Sequence, residues 1–223
     1  MMMCIPDLLT LEEVASLRDI AAGGEFVDGA TTAGRRIKNL KTNLQMKNDS
    51  SGKETADAIV LEALQRNMEF QSVALPKSIA NPMLSRYADG MSYDSHVDAA
   101  VMGKNGGMRP DVSVTIFLND PASYDGGELT IESGVGEQAV KLMAGEAVVY
   151  PTSALHWVSP VTRGERLAAV TWAQSAVRSP EKRTLLYDLR AAMNQIADAA
   201  PDAEATHLLF KTHANLMRMW VEI

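Results

Sequence analysis

Arg86-Tyr87-Ala88-Asp89-Gly90-Met91-Ser92-Tyr93-Asp94-Ser95-His96-Val97-Asp98 reads as the end of one strand, a turn at Gly90 and the approach to a second strand. Successive side chains on a strand point to opposite faces, so His96 and Asp98, two apart in a strand expected over 95–99, share one face. The stretch sits inside a longer run with the same grammar, in which short apolar or alternating segments are separated by Gly, Pro, Asn and Asp. Strands are expected at 71–75, 81–88, 95–99, 112–118, 128–132, 138–142, 146–150, 154–158 and 165–173. Many short strands with turn signals between them predict a double-sheet jelly roll, which closes its apolar faces without crossover helices.

Helices flank this run. Thr10-Leu11-Glu12-Glu13 is a capping box, and Leu9 and Val14 are placed as a hydrophobic staple, so a helix is expected from Leu11 to Ala22, ended by Gly23 and Gly24. Ala56, Ile59, Val60, Ala63 and Leu64 recur at helical spacing and predict a second helix over 55–68. Between them, residues 29–51 are polar and show no strong period, with Ile37, Leu40 and Leu44 as their apolar anchors. Beyond Pro180 the helical stripe returns in Leu185, Leu186, Leu189, Met193 and Ile196, and a last helix is expected over 203–220. The fold class is mainly β with flanking α-helices: residues 1–178 form a jelly-roll domain with N-terminal helices, and 179–223 a C-terminal helical extension.

Composition narrows the function classes. The 223 residues carry 21 Lys and Arg against 28 Asp and Glu, a net charge of −7 that argues against nucleic-acid binding. Hydrophobic residues at 46% and charged residues at 22% describe a folded, soluble chain. A single cysteine, Cys4, excludes an intramolecular disulfide and a cysteine-based zinc site, and suits a reducing cytoplasm. No basic leader and no apolar run of membrane length is present, so neither export nor a membrane span is expected.

Leu155-His156-Trp157-Val158 supplies a third metal-ligating side chain from another strand. Two imidazoles and one carboxylate form a facial triad that leaves positions open on non-haem Fe(II); His156 alone would equally suit a hydrogen-bonded core histidine. Alternation points Trp157 away from the metal face. Ten residues after His156, Arg166 shares a face with Ala168, Val170 and Trp172. An Arg among apolar neighbours requires an anion. The candidates are the far carboxylate of a metal-chelating dicarboxylate, or Asp111 or Glu146 in a structural ion pair. The short link 159–164 brings the strands of His156 and Arg166 close, either as ladder neighbours or across the sandwich. Gly103 to Gly107, with Lys104 and Asn105, lacks the phosphate-loop pattern and reads as a lid. His207 and His213 lie six apart on a helix, share no face and are read as structural or solvated.

Taken together, Arg-Tyr-x-x-Gly-x-x-Tyr-x-x-His-x-Asp over 86–98, Tyr124-Asp125-Gly126-Gly127-Glu128-Leu129, Tyr150-Pro151-x-Ser153 and Val161-Thr162-Arg163-Gly164-x-Arg166-Leu167 resemble bacterial PKHD-type hydroxylases of the PiuC type. These belong to the Fe(II)/2-oxoglutarate-dependent dioxygenase superfamily. The resemblance runs from the first helix to about Gln195 and is weaker from Ala199 to Ile223. It implies a double-stranded β-helix in which His96, Asp98 and His156 bind Fe(II) and Arg166 binds the distal carboxylate of 2-oxoglutarate. Tyr87 matches a tyrosine that hydrogen-bonds the co-substrate, with core packing as its other reading; Tyr93 is read as packing or support for a ligand. Phe117 stands where animal prolyl hydroxylases carry a tyrosine, so that contact is not carried over. The implied reaction consumes O2, decarboxylates 2-oxoglutarate to succinate and CO2 and hydroxylates an unidentified small-molecule or peptide substrate, with L-ascorbate as an auxiliary and a link to iron uptake or homeostasis. The alternatives are a non-catalytic sensor of metal or 2-oxoglutarate on the same jelly roll, and a scaffold that forms homo-oligomers through its C-terminal helices.

Overall fold

The computed structural model describes residues 1–31, 41–88, 90–103 and 107–222. Strand β1 (Met3–Ile5) leads into α1 (Leu11–Gly23). The helix begins where the sequence places it because Glu13 N donates to Thr10 Oγ1 at 3.2 Å and Thr10 N donates to Glu13 Oε2 at 2.9 Å. Two donors that the first turn would otherwise leave open are satisfied. Leu9 and Val14 are both buried, as a staple requires.

Strands β2 (Phe26–Asp28) and β3 (Leu44–Met46) precede α2 (Lys53–Arg66) and α3 (Met68–Ala74). The single helix expected over 55–68 is therefore two, and the strand expected at 71–75 does not form. Asn67 accounts for both differences. Its backbone turns out of helical geometry at ψ 109°, and its side chain accepts a hydrogen bond from Phe70 N at 2.8 Å, which caps and restarts a helix. Phe70, Val73 and Ala74 are then buried on that helix, and the apolar run that reads as a strand is its core face.

The remaining strands are β4 (Pro76–Ile79), β5 (Met83–Ala88), β6 (Tyr93–His96), β7 (Val112–Phe117), β8 (Asp125–Gly126), β9 (Leu129–Ser133), β10 (Gly136–Val140), β11 (Ala147–Pro151), β12 (His156–Val158), β13 (Val161–Arg163) and β14 (Glu165–Ser175). Among the described residues, eight strands form one sheet in the order β1-β11-β7-β14-β5-β3-β2, with β4 paired to the end of β14. Four form a second sheet, β10-β9-β12-β6, and β13 pairs with β8 in a short ribbon. The ladders are antiparallel, as a jelly roll requires.

The large sheet is buried on both faces. Along β7, Val112, Val114 and Ile116 pack with α1, α2 and α3, while Phe117 packs on the opposite side with Leu129, Ile131 and Val158 of the small sheet. Along β14, Leu167, Ala169 and Ala173 face the helices, whereas Arg166, Val170 and Trp172 line an interior chamber. Helices, large sheet and small sheet thus form three layers around two apolar cores. Each buried Val, Leu or Ile contributes about 1.5–3 kcal/mol, so the helical layer locks the large sheet and leaves its inner face free for polar groups.

At the other end, α4 (Pro180–Ala199) and α5 (Glu204–Trp220) pack on each other. Ser179 caps α4 by accepting from Lys182 N at 3.1 Å. The chain returns to the core where Glu222 N donates to Ala176 O at 2.8 Å, and Arg109 bridges Asp111 and Glu222 at 3.0 and 3.3 Å. Among the described residues, no helix is long and apolar enough to cross a membrane. The lid expected at Gly103 to Gly107 falls largely outside the described residues, as do the anchors Ile37 and Leu40.

The β8–β13 ribbon depends on Gly126, at φ +71°, where an added Cβ would lie 2.0 Å from Pro160 O. A left-handed backbone and a collision with a carbonyl combine here, so Gly126→Ala is expected to cost about 2 kcal/mol or more. Thermal unfolding checks this; an unchanged midpoint would show that the ribbon shifts without cost.

Candidate metal centre

His96 closes β6 and His156 opens β12, and the two are direct cross-strand partners on the inner face of the small sheet. Their ring centroids are 4.2 Å apart. In each, Nδ1 faces the carbonyl two residues earlier, Asp94 O at 2.8 Å and Ala154 O at 3.0 Å. A carbonyl accepts only from N–H, so Nδ1 of each ring carries a proton, and in the neutral ring that leaves Nε2 as the lone pair available to a metal. Burial, with the neighbouring His156, pulls His96 down to about 4, so it is neutral at pH 7 and available as a ligand. Tyr93 stacks on His96 with centroids 3.6 Å apart, and Tyr150 meets His156 edge-on at 5.1 Å.

Asp98 reaches this pair by a route that strand alternation does not describe. The strand expected over 95–99 ends at His96, because β6 is the outer strand of its sheet and its pairing with β12 stops there. Asp98 is held instead by the large sheet. Ser113 Oγ and Trp172 Nε1 both donate to its Oδ2 at 2.8 Å, and Ser113 and Trp172 are themselves cross-strand partners on β7 and β14. Ser113 Oγ also lies 3.2 Å from Thr152 Oγ1. Asp98 Oδ1 is 4.0 Å from His96 Nε2 and Oδ2 is 3.8 Å from His156 Nε2. One ligand atom from each of the three residues falls within 4.8 Å of the others. Two imidazoles and one carboxylate at this separation can share one divalent cation and leave coordination positions open.

These residues open on a chamber of about 290 Å³ enclosed between the two sheets. Arg166 projects into it from the other sheet, so His156 and Arg166 face each other across the sandwich and are not ladder neighbours. Arg166 is 1% exposed, its Nε has no hydrogen-bond partner, and among the described residues it forms no ion pair. Asp111 is engaged by Arg109, and Glu146 accepts from Met143 N at 2.9 Å, so neither is the anion that Arg166 requires. The guanidinium lies 5.1 Å from the Tyr87 ring and 5.4 Å from the Phe117 ring. A buried cation on apolar rings with an open donor fits a ligand carboxylate, because leaving it uncompensated costs several kcal/mol. Gly127, at φ +67°, passes directly behind it, where a Cβ would stand 3.1 Å from Arg166 Cδ.

Tyr87 lines the chamber opposite Arg166 in register on β5. Burial raises the phenols of Tyr87, Tyr93 and Tyr150 above their ordinary value, so all three are hydroxyl donors at neutral pH. Trp157 is absent from the chamber lining, as alternation predicts. Sequence reading did not find Lys41, Asn43, Gln45, Thr115 or the Asp98 contacts of Ser113 and Trp172. The signal was present as an alternation of polar residues at 41, 43 and 45, all buried. A larger open cleft of about 770 Å³ shares Asp98 with the chamber and runs between the core and the C-terminal helices, past Arg109, Lys182, Trp220 and Glu222.

A family model of the 2OG-Fe(II) oxygenase superfamily matches residues 82–174, and one of the PKHD-type hydroxylase C-terminal domain matches residues 181–222. The solved structure of a Pseudomonas putida prolyl-4-hydroxylase shares the fold, at TM-score 0.55 and 20% identity over 78% of this chain and 92% of that one. Fold and family model together define an oxygenase of the 2OG-Fe(II) class, an enzyme whose reaction uses Fe(II), 2-oxoglutarate and O2. Two relatives, both described as PKHD-type hydroxylases, match along 100% of both chains: one from Synechococcus sp. (strain JA-2-3B'a(2-13)) at 46% identity and one from Paracoccus denitrificans (strain Pd 1222) at 45%. The chain belongs to the PKHD-type hydroxylase family.

The indole donor to Asp98 yields a direct prediction. Trp172→Phe keeps the ring and removes the N–H, and is expected to weaken Fe(II) binding about 10- to 100-fold while leaving the fold intact. Anaerobic competition against a metal chelator checks this, and wild-type affinity in the variant would show that Ser113 alone holds the carboxylate.

Proposed function

We propose that this hydroxylase converts a substrate C–H bond to C–OH while one molecule each of O2 and 2-oxoglutarate becomes the hydroxyl oxygen, succinate and CO2. His96, Asp98 and His156 hold the iron, and Arg166 holds the distal carboxylate of 2-oxoglutarate with Tyr87 beside it. The observation that carries this reading is Arg166: a buried guanidinium without an anionic partner among the described residues, in the same chamber as the three clustered ligand side chains. Iron bound there supplies the reduction of O2 and the oxidising power for C–H cleavage.

The chain's own residues set the geometry. The Nδ1 contacts of both histidines fix the tautomer, and Ser113 and Trp172 hold Asp98 in orientation. Arg166 offers a planar fork that matches a carboxylate through two parallel hydrogen bonds and so sets the direction in which the co-substrate lies. Tyr150, Thr115 and Val170 wall the chamber and keep bulk water from it. The substrate reaches the iron through the open cleft between the core and the C-terminal helices, which is large enough for a peptide segment or a small molecule. What supports a role in iron uptake, and ascorbate as an auxiliary reductant, is the resemblance of the motifs to PiuC-type hydroxylases.

Anaerobic titration with Fe(II) and 2-oxoglutarate tests the assignment. Wild-type protein is expected to develop the weak visible charge-transfer band of a chelated 2-oxo acid, and His96→Ala to show none. Arg166→Met is expected to need about 10- to 100-fold more 2-oxoglutarate, the loss of a charge-assisted pair. Full 2-oxoglutarate turnover by His96→Ala would overturn the ligand set.

A further inference from the structure

Lys41 lies in the polar segment that leads into β3, far in sequence from every motif of the site. Its backbone bridges to Tyr93, and its side chain is 7% exposed and lines the same chamber as Arg166. The ammonium stands 5.0 Å from the centre of the Tyr93 ring, and that ring stacks on His96. The Tyr93 ring thus meets both Lys41 and an imidazole of the metal cluster, and the Lys41 charge is among the influences that lower His96. Arg166 lies instead over Tyr87 and Phe117. Among the described residues, Lys41 and Arg166 are the two cationic side chains that line the chamber, one beside the metal cluster and one over a separate pair of rings.

A 2-oxo dicarboxylate that chelates a metal presents one carboxylate to the metal end and the other to the far end. We propose that Lys41 binds the metal-end carboxylate of 2-oxoglutarate, as the counterpart of Arg166 at the distal end; this rests on the co-substrate reading above. The difference in residue type matches the difference in task. The distal carboxylate has no other anchor and needs the directional fork of Arg166, whereas the metal-end carboxylate is already oriented by chelation and needs only a point charge on a flexible stem. Burial draws Lys41 down to about 8, with Asp98 and Asp28 favouring its charged form, so the ammonium persists at neutral pH. Asn43 and Gln45, at alternate positions on the same segment, continue the polar wall beside it.

Calorimetric titration of the full-length protein loaded with Mn(II), which holds the site without turnover, tests this with two probes. The first is 2-oxoglutarate; the second is oxalate, which chelates the metal but is too short to reach Arg166. Lys41→Met is expected to weaken both probes by a similar factor, about tenfold or more, and Arg166→Met to weaken 2-oxoglutarate while leaving oxalate unchanged. Lys41→Gln, of similar polarity and no charge, is expected to repeat the first result, and Mn(II) affinity is expected to stay within about twofold of wild type in both Lys41 variants, on the order of 0.4 kcal/mol. Wild-type affinity for both probes in the Lys41 variants, a loss confined to 2-oxoglutarate, or a loss of Mn(II) itself would overturn the role of Lys41 while leaving the oxygenase reading in place. Wild-type protein that binds Mn(II) but neither probe would overturn both.

Discussion

The structure turns on a single electrostatic requirement, a guanidinium buried between two β-sheets with no carboxylate among the described residues to neutralise it. Around Arg166 stand aromatic faces on two sides, a diglycine turn behind its stem, and a chamber in front that ends at two imidazoles and a carboxylate. An uncompensated charge in such a place would be costly in a protein meant to stay empty. Under the proposed function, the co-substrate brings the missing charge.

That requirement explains why the two sheets divide the work. The small sheet contributes the histidine pair as cross-strand neighbours, and the large sheet contributes Arg166 and, through Ser113 and Trp172, the orientation of Asp98. The large sheet can carry polar groups on its inner face because its outer face is already committed to the helices. Val112, Val114 and Ile116 supply the packing on β7, which frees Thr115 to line the chamber and Ser113 to hold Asp98. The helical layer is thus part of the site's construction, although none of its residues lines the chamber.

The jelly roll, the flanking helices and the side chains His96, Asp98, His156 and Arg166 were legible in the chain itself, and each of the four lines the chamber. The failures have local causes. Residues 71–75 carry the apolar character of a strand but follow Asn67, whose side chain caps a helix and whose backbone redirects it. Lys41, Asn43 and Gln45 were unreadable for the opposite reason: polar residues at alternate positions signal a solvent face, and here that face is the inside of the sandwich. Polarity patterns report contact with water or with a polar cavity alike.

By itself, the sequence determined which chemistry is available, because ligand identity, strand periodicity and helix caps are local properties that a few neighbouring residues establish. Only the tertiary structure decided that His156 and Arg166 stand across the sandwich, that Asp98 arrives past the end of its strand under the hold of the opposite sheet, and that Lys41 shares a chamber with residues far along the chain. These are long-range facts. They follow from which strands pair and which face of each sheet the helices cover, and that choice is made by the packing of the whole core.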